Sequence, residues 1–147
     1  GVGAGVWARL RELGYYAIEV NVASTDGIDR EKYKNARSQY LWELRMRFLQ
    51  AYRLANEGVA DGPHIEIEPD EAAATQLNAI KWRQNSAGQI EVEPKDETKK
   101  RLGGKSPDDG DAVMLAFVPT RAIAVAPGGL GQRSYWRGAD VPTDDDE

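Results

Sequence analysis

The chain has 147 residues, enough for one domain, and its 41% hydrophobic and 29% charged content is ordinary for a globular protein. Its net charge of -5 gives no global attraction to nucleic acid, although an acidic protein can still carry a local basic stripe. With no cysteine and one histidine, His64, the composition excludes disulfides, zinc-thiolate sites, thiol catalysis and His-rich metal centres. No apolar run reaches membrane-spanning length and the N-terminus carries no signal-peptide pattern, so a cytosolic protein without a membrane partner is expected. The chain opens on Gly1 rather than Met, which suggests sequence upstream of it.

Residues 1–14, "GVGAGVWARLRELG", predict a glycine-rich turn and a short helix, with Val6, Leu10 and Leu13 at helical spacing and Gly14 as the stop. "YYAIEVNV" (15–22) alternates like a strand and is expected to be buried beneath the first two helices. After the loop 23–29, one long helix is expected from about Arg30 to Leu54. Tyr33, Tyr40, Leu41, Leu44, Phe48 and Tyr52 mark its apolar stripe, and Arg45, Arg47 and Arg53 its polar side. "HIEIE" (64–68) reads as extended, and "PDEAAATQLNAI" as a helix opened by Pro69 and acids.

Residues 81–94 read as two strands around a turn at Asn85–Gly88, and 95–105 as a short basic helix ended by paired glycines. In "SPDDGDAVMLA" (106–116), Ser106 is a good N-cap and Pro107 suits the first helical position. Asp109, three residues after Ser106, resembles the acid of a capping box. The run Ala112–Val118 is expected to bury this helix, and 119–147 to form a flexible Gly/Pro-rich acidic tail with a possible docking segment at Tyr135–Trp136.

Two readings of the three acids compete. Acids favour a helix N-terminus through the macrodipole, which accounts for all three. Asp111, however, lies beyond the cap and just before an apolar run, where a bare carboxylate is costly to desolvate. A hard cation such as Mg²⁺ or Mn²⁺, bound by oxygen ligands, would offset that cost. Asp108 and Asp111 are three apart and share a helix face. Two-metal phosphodiester cleavage needs carboxylates from more than one element around ions about 3.5–4 Å apart. Glu19 and Asp26 are candidates by position only, and each reads as a solvated residue.

Other signals are weaker. "GVGAGV" has the wrong spacing for a dinucleotide fingerprint, because Val6 stands where the third glycine belongs. Lys95, Lys99, Lys100, Arg101 and Lys105 either form a solvated face or contact DNA phosphates without reading bases. His64 reads as an ordinary polar residue. Trp7, Tyr40, Trp42, Tyr52 and Trp82 read as packing residues rather than a base-stacking platform.

Taken in order, "GVGAGVWARLRELG", "IEVNV", "YKNARSQYLWELR" and "IEVEPKDETKKRLGGKSPDDGDAVMLAF" closely resemble the C-terminal nuclease domain of the large terminase subunit of tailed bacteriophages, over residues 1–118. The block from Lys95 to Ala116 is the most specific part, with "KNAR" (34–37) in support. The resemblance implies an α/β, partial RNase H-like fold, a mixed sheet flanked by helices, whose first strands and first two acids would precede Gly1. It implies a two-ion Mg²⁺ or Mn²⁺ endonuclease that cuts concatemeric double-stranded DNA in the cytoplasm of an infected or lysogenic bacterial host. The small terminase subunit and the portal would be its partners. The family's last acid matches Asp111, with Asp108 in the supporting position. Asp109 stands where many relatives have an apolar residue, so it is the weakest metal ligand of the three. The departure leaves two expectations: the chain alone should not cut efficiently, and a non-catalytic module that binds protein or DNA is the alternative.

Overall fold

The computed structural model describes residues 2–15, 17 and 19–118, and everything below concerns those residues. In chain order they form α1 (Val2–Glu12), α2 (Ala36–Glu57), α3 (Glu71–Ala79), β1 (Trp82–Gln84), β2 (Ile90–Val92), α4 (Lys95–Arg101) and α5 (Asp108–Ala116). The two strands pair antiparallel, Trp82 opposite Val92 and Gln84 opposite Ile90. A single parallel bridge joins Tyr33 to Ile90 on the other edge of β2. The result is a mixed α/β arrangement with a small sheet laid on α2.

α2 is the spine. Asn35 caps it by accepting from the Ser38 N–H, and Gly58 ends it in the left-handed region at φ 69°, donating its N–H to the Leu54 carbonyl. The expected start near Arg30 is therefore corrected: residues 30–35 form turns and the β2 bridge, and the helix begins where Asn35 satisfies its first turn. Leu41 and Leu44 of α2 meet Ile65 and Met114 in the buried core, with Leu77, Val92 and Phe117 packed around them. α5 packs on α3 and α2, so it faces the core with Met114 while Leu115 is 45% exposed. The run Ala112–Val118 is thus buried on one face only.

The expected strand at 15–22 is not formed at its described positions, residues 15, 17 and 19–22. Its β-rich pattern has no neighbouring strand to pair with among the described residues. Its end does other work: the Val22 and Ser24 carbonyls accept from the Arg37 and Ala36 N–H groups at 2.8 and 2.9 Å. These are free donors of a helix first turn, which need partners from outside the helix. Tyr16 and Ile18 lie outside the described residues. At the N-terminus the glycine-rich stretch is itself helical rather than a turn, and Val6, Leu10 and Leu13 are exposed.

Further along, Ile65 is buried although 64–68 forms no strand. Pro69 sits ahead of the helix that it was expected to open. Asp70 is the cap of α3, accepting from the Ala73 N–H at 2.9 Å. The hairpin and the basic helix are as expected, with Gly103 and Gly104 at positive φ after α4. The segment 119–147, including Tyr135 and Trp136, lies outside the described residues.

Candidate metal and nucleic-acid site

α5 begins at Asp108, not Ser106, and no side chain caps it. The Ser106 hydroxyl is engaged elsewhere, donating to Asp108 Oδ1 at 2.6 Å. Asp109 is not a capping acid either. Its Oδ2 accepts from Gln76 Nε2 at 2.7 Å, while Gln76 Oε1 accepts from the Gly110 N–H at 2.9 Å. One amide on α3 thereby holds two successive residues of α5. Gly110 lies against α3, where a Cβ would be 3.4 Å from Gln76 and Leu77 side-chain atoms, close to ordinary contact.

This docking places Asp108 and Asp111 together at the start of α4. Lys95 Nζ lies 2.7 Å from Asp111 Oδ2 and 3.1 Å from Asp108 Oδ1, so one ammonium gathers an oxygen from each acid. Hydrogen bonds from Ser106 and then Lys95 hold the Asp108 carboxyl below its ordinary pKa. The bond to Asp111, opposed by desolvation and reinforced by Asp108, raises the Lys95 ammonium above its own. Asp108 is open to solvent, whereas the Asp111 side chain is 20% exposed and its Oδ1 is buried without a hydrogen-bond partner.

Asp108 and Asp111 form a two-carboxylate donor set. It offers two convergent carboxylate oxygens, already collected around a positive charge, and one orphaned carboxylate oxygen behind them. Among the described residues no group of three or more Asp, Glu, His or Cys residues is placed to hold a metal ion, so further ligands would have to come from elsewhere. Asp109 is directed at Gln76, Glu19 is exposed, and Asp26 is paired with Arg30 at 3.7 Å.

The basic residues divide. Lys95 is held by the acids, Lys100 pairs with Glu97 at 2.6 Å, and Arg101 bonds Glu93 and the Ala79 carbonyl. Lys99 and Lys105 are exposed and make no ion pair with described residues. Glu93 is a hub. Burial pushes its pKa up, but hydrogen bonds from Arg101, Thr98 and the Lys81 N–H more than reverse this. Its carbonyl accepts from Arg37 Nη1 at 2.7 Å.

Sequence reasoning missed Gln76 and Arg37. Nothing in "TQLNA" distinguishes Gln76 from a surface glutamine. Arg37 had a signal: a cation in the first turn of a helix opposes the macrodipole and needs a local reason to be there.

The fold is similar to that of the nuclease domains of phage terminases. The nuclease domain of the large terminase subunit of bacterial virus Sf6 is similar at a TM-score of 0.66 and 23% identity, covering 82% of this chain and 63% of that one. A lysine-to-alanine mutant of that domain with manganese gives 0.64, 23%, 82% and 63%, and a mutant with calcium 0.62, 23%, 82% and 62%. At this identity the likeness is one of fold, and the chain spans a little under two thirds of the solved domains' length. No family model and no curated protein sequence matches the chain.

Proposed function

We propose that this chain is the Asp111-bearing part of the metal-dependent endonuclease domain of a phage DNA-packaging terminase. The observation that carries the reading is the convergence of Asp108 and Asp111 on the single positive point at Lys95 Nζ, within a terminase-nuclease fold. On this reading the complete domain is RNase H-like and holds two Mg²⁺ or Mn²⁺ ions with acids from other elements. It cuts concatemeric double-stranded DNA in the cytoplasm of the bacterial host, with the small terminase subunit and portal as partners. Among the described residues no helix is long and apolar enough to cross a membrane.

Asp111 and Asp108 are the catalytic and metal-holding carboxylates contributed here. A divalent ion would activate water and stabilise the leaving oxygen of a phosphodiester. Lys95 then competes with the ion for the same oxygens, so metal entry requires the ammonium to swing away. Asp109 is secondary, since Gln76 occupies its carboxylate. Phosphate contact falls to Lys99 and Lys105, while Lys95, Lys100 and Arg101 must exchange a protein partner for DNA.

The test is Mn²⁺ binding by the 147-residue chain, followed through the electron paramagnetic resonance signal of the free ion. Weak binding that disappears in Asp111→Asn and survives in Asp109→Asn is the expected result. Binding indifferent to Asp111→Asn overturns the reading in favour of a non-catalytic module. Plasmid nicking by the chain alone should be inefficient, because Mg²⁺ and Mn²⁺ gain little from two protein carboxylates. Robust nicking would move the partner acids to Glu19 or Asp26.

A further inference from the structure

Two side-chain polar atoms among the described residues are buried without a hydrogen-bond partner, Arg37 Nη2 and Asp111 Oδ1. They belong to groups of opposite charge. Burial lowers the Arg37 pKa, and the charge of Asp111 is the leading influence holding it up. Leaving either atom unpaired in the interior would carry the full desolvation penalty of a charged group.

Arg37 is unusually well fixed. Its N–H donates to the Val22 carbonyl at 2.8 Å and its Nη1 to the Glu93 carbonyl at 2.7 Å. Glu93 is held in turn by Lys81, whose N–H donates to Glu93 Oε1 at 3.0 Å. The residue is thus tied by its backbone to the 22–24 segment and by its guanidinium to the end of the hairpin, with Nη2 buried and unpartnered. Asp111 has the complementary arrangement, with Oδ2 facing Lys95 and Oδ1 turned inward.

We infer that Arg37 is a positioning residue for Asp111: with no direct bond between the two groups, its Nη2 holds the inner carboxylate oxygen through one water and so fixes Oδ2 outward toward the cation position. It touches neither metal nor DNA. The pairing rests on the two unpartnered atoms and on the tie from Arg37 to the carbonyl of Glu93, two residues before the Lys95 that meets Asp111, and its consequence for metal binding rests on the nuclease reading above. Partners behind a ligating carboxylate generally set its orientation, and their loss weakens metal binding by about 10–100-fold.

Two measurements test it. The first is a metal-free denaturation cycle with Arg37→Met, Asp111→Asn and the double variant. Each single change strands a buried charge, so the double variant should lose less stability than the two losses added. Additive losses overturn the pairing. Should Arg37→Met fail to fold, Arg37→Gln, which also removes the charge, replaces it in the same cycle.

The second is Mn²⁺ binding under conditions where every variant is folded. Arg37→Met should weaken it about tenfold, and Arg37→Lys should recover most of that loss by keeping a cation there. A residue that only braces the scaffold would leave the Mn²⁺ affinity unchanged, and that outcome overturns the positioning role. If Asp111→Asn leaves Mn²⁺ binding intact, the nuclease reading fails, while the denaturation cycle still decides the pairing.

Discussion

α1 and α2 carry the same kind of apolar pattern and meet opposite fates. In α2, Leu41 and Leu44 are 8% and 2% exposed; in the first helix and its stop, Val6, Leu10 and Leu13 are 56%, 37% and 55% exposed. The difference lies in what stands opposite. α2 has β2 on one side and α5 on another. The ties of α1 among the described residues are local: Trp7 Nε1 donates to the Ala17 carbonyl at 3.2 Å, and Arg11 lies over the Trp7 ring. An amphipathic stripe is a capacity to pack, and the hydrophobic free energy is realised only where another element removes it from water.

The strongest way to break that contrast is a matched pair of truncations. Leu44→Ala should cost about 2–5 kcal/mol as the core around Ile65 and Met114 loses volume, and Leu10→Ala should stay within about 0.5 kcal/mol. Urea denaturation of both decides it, and similar losses would mean that α1 is packed as tightly as α2.

Ser38→Ala comes next. Ser38 is fully buried, its hydroxyl donating to Asn35 Oδ1 at 2.9 Å and accepting from the Val92 N–H at 3.1 Å. Its removal strands the Val92 donor and should cost about 1–3 kcal/mol. A loss near zero would show that the α2–β2 contact does not depend on this bond.

The N-cap is a smaller lever. Asn35→Ala should cost about 1 kcal/mol, read as a lower urea midpoint with an unchanged slope. Asn35→Asp should be nearly neutral, since its carboxylate still accepts from the Ser38 N–H.

The mildest effect is one of pH. Bonds from Lys34 and then Arg83 hold the Glu91 carboxyl below its usual range. A folded pKa below the unfolded one contributes stability above the unfolded value, about 4.3, that is lost as pH falls through the folded value. Thermal midpoints should therefore drop below about pH 4.3, and Glu91→Gln should flatten part of that acid limb. An unchanged limb would remove the Lys34–Glu91–Arg83 group from the acid response.

The sequence by itself determined the local elements: the long central helix, the hairpin around Asn85–Gly88, the basic helix ended by Gly103 and Gly104, and the helix bearing Asp108 and Asp111. Periodicity, caps and turn residues act over a few positions, and their signals are complete within a short window. The spacing of Asp108 and Asp111 put them on one face for the same reason. The terminase-like order of motifs was also legible, because it is a property of the chain in one dimension.

Only the tertiary structure decided which patterns were used. Alternation at 15–22 was compatible with a strand, but a strand exists only with a partner, and the end of this segment instead satisfies the first turn of α2. Ser106 and Asp109 were plausible caps until Asp108 took the serine hydroxyl and Gln76 took the aspartate. By sequence Lys95 was one of five cations with a solvated face or phosphate contact as alternatives, and it became the charge between the two acids because α5 docks on α3. Arg37 and Asp111 are 74 positions apart in the chain, and no local rule links them. The relation inferred between them has a tertiary cause, since only the fold buries an atom of each charged group without a partner.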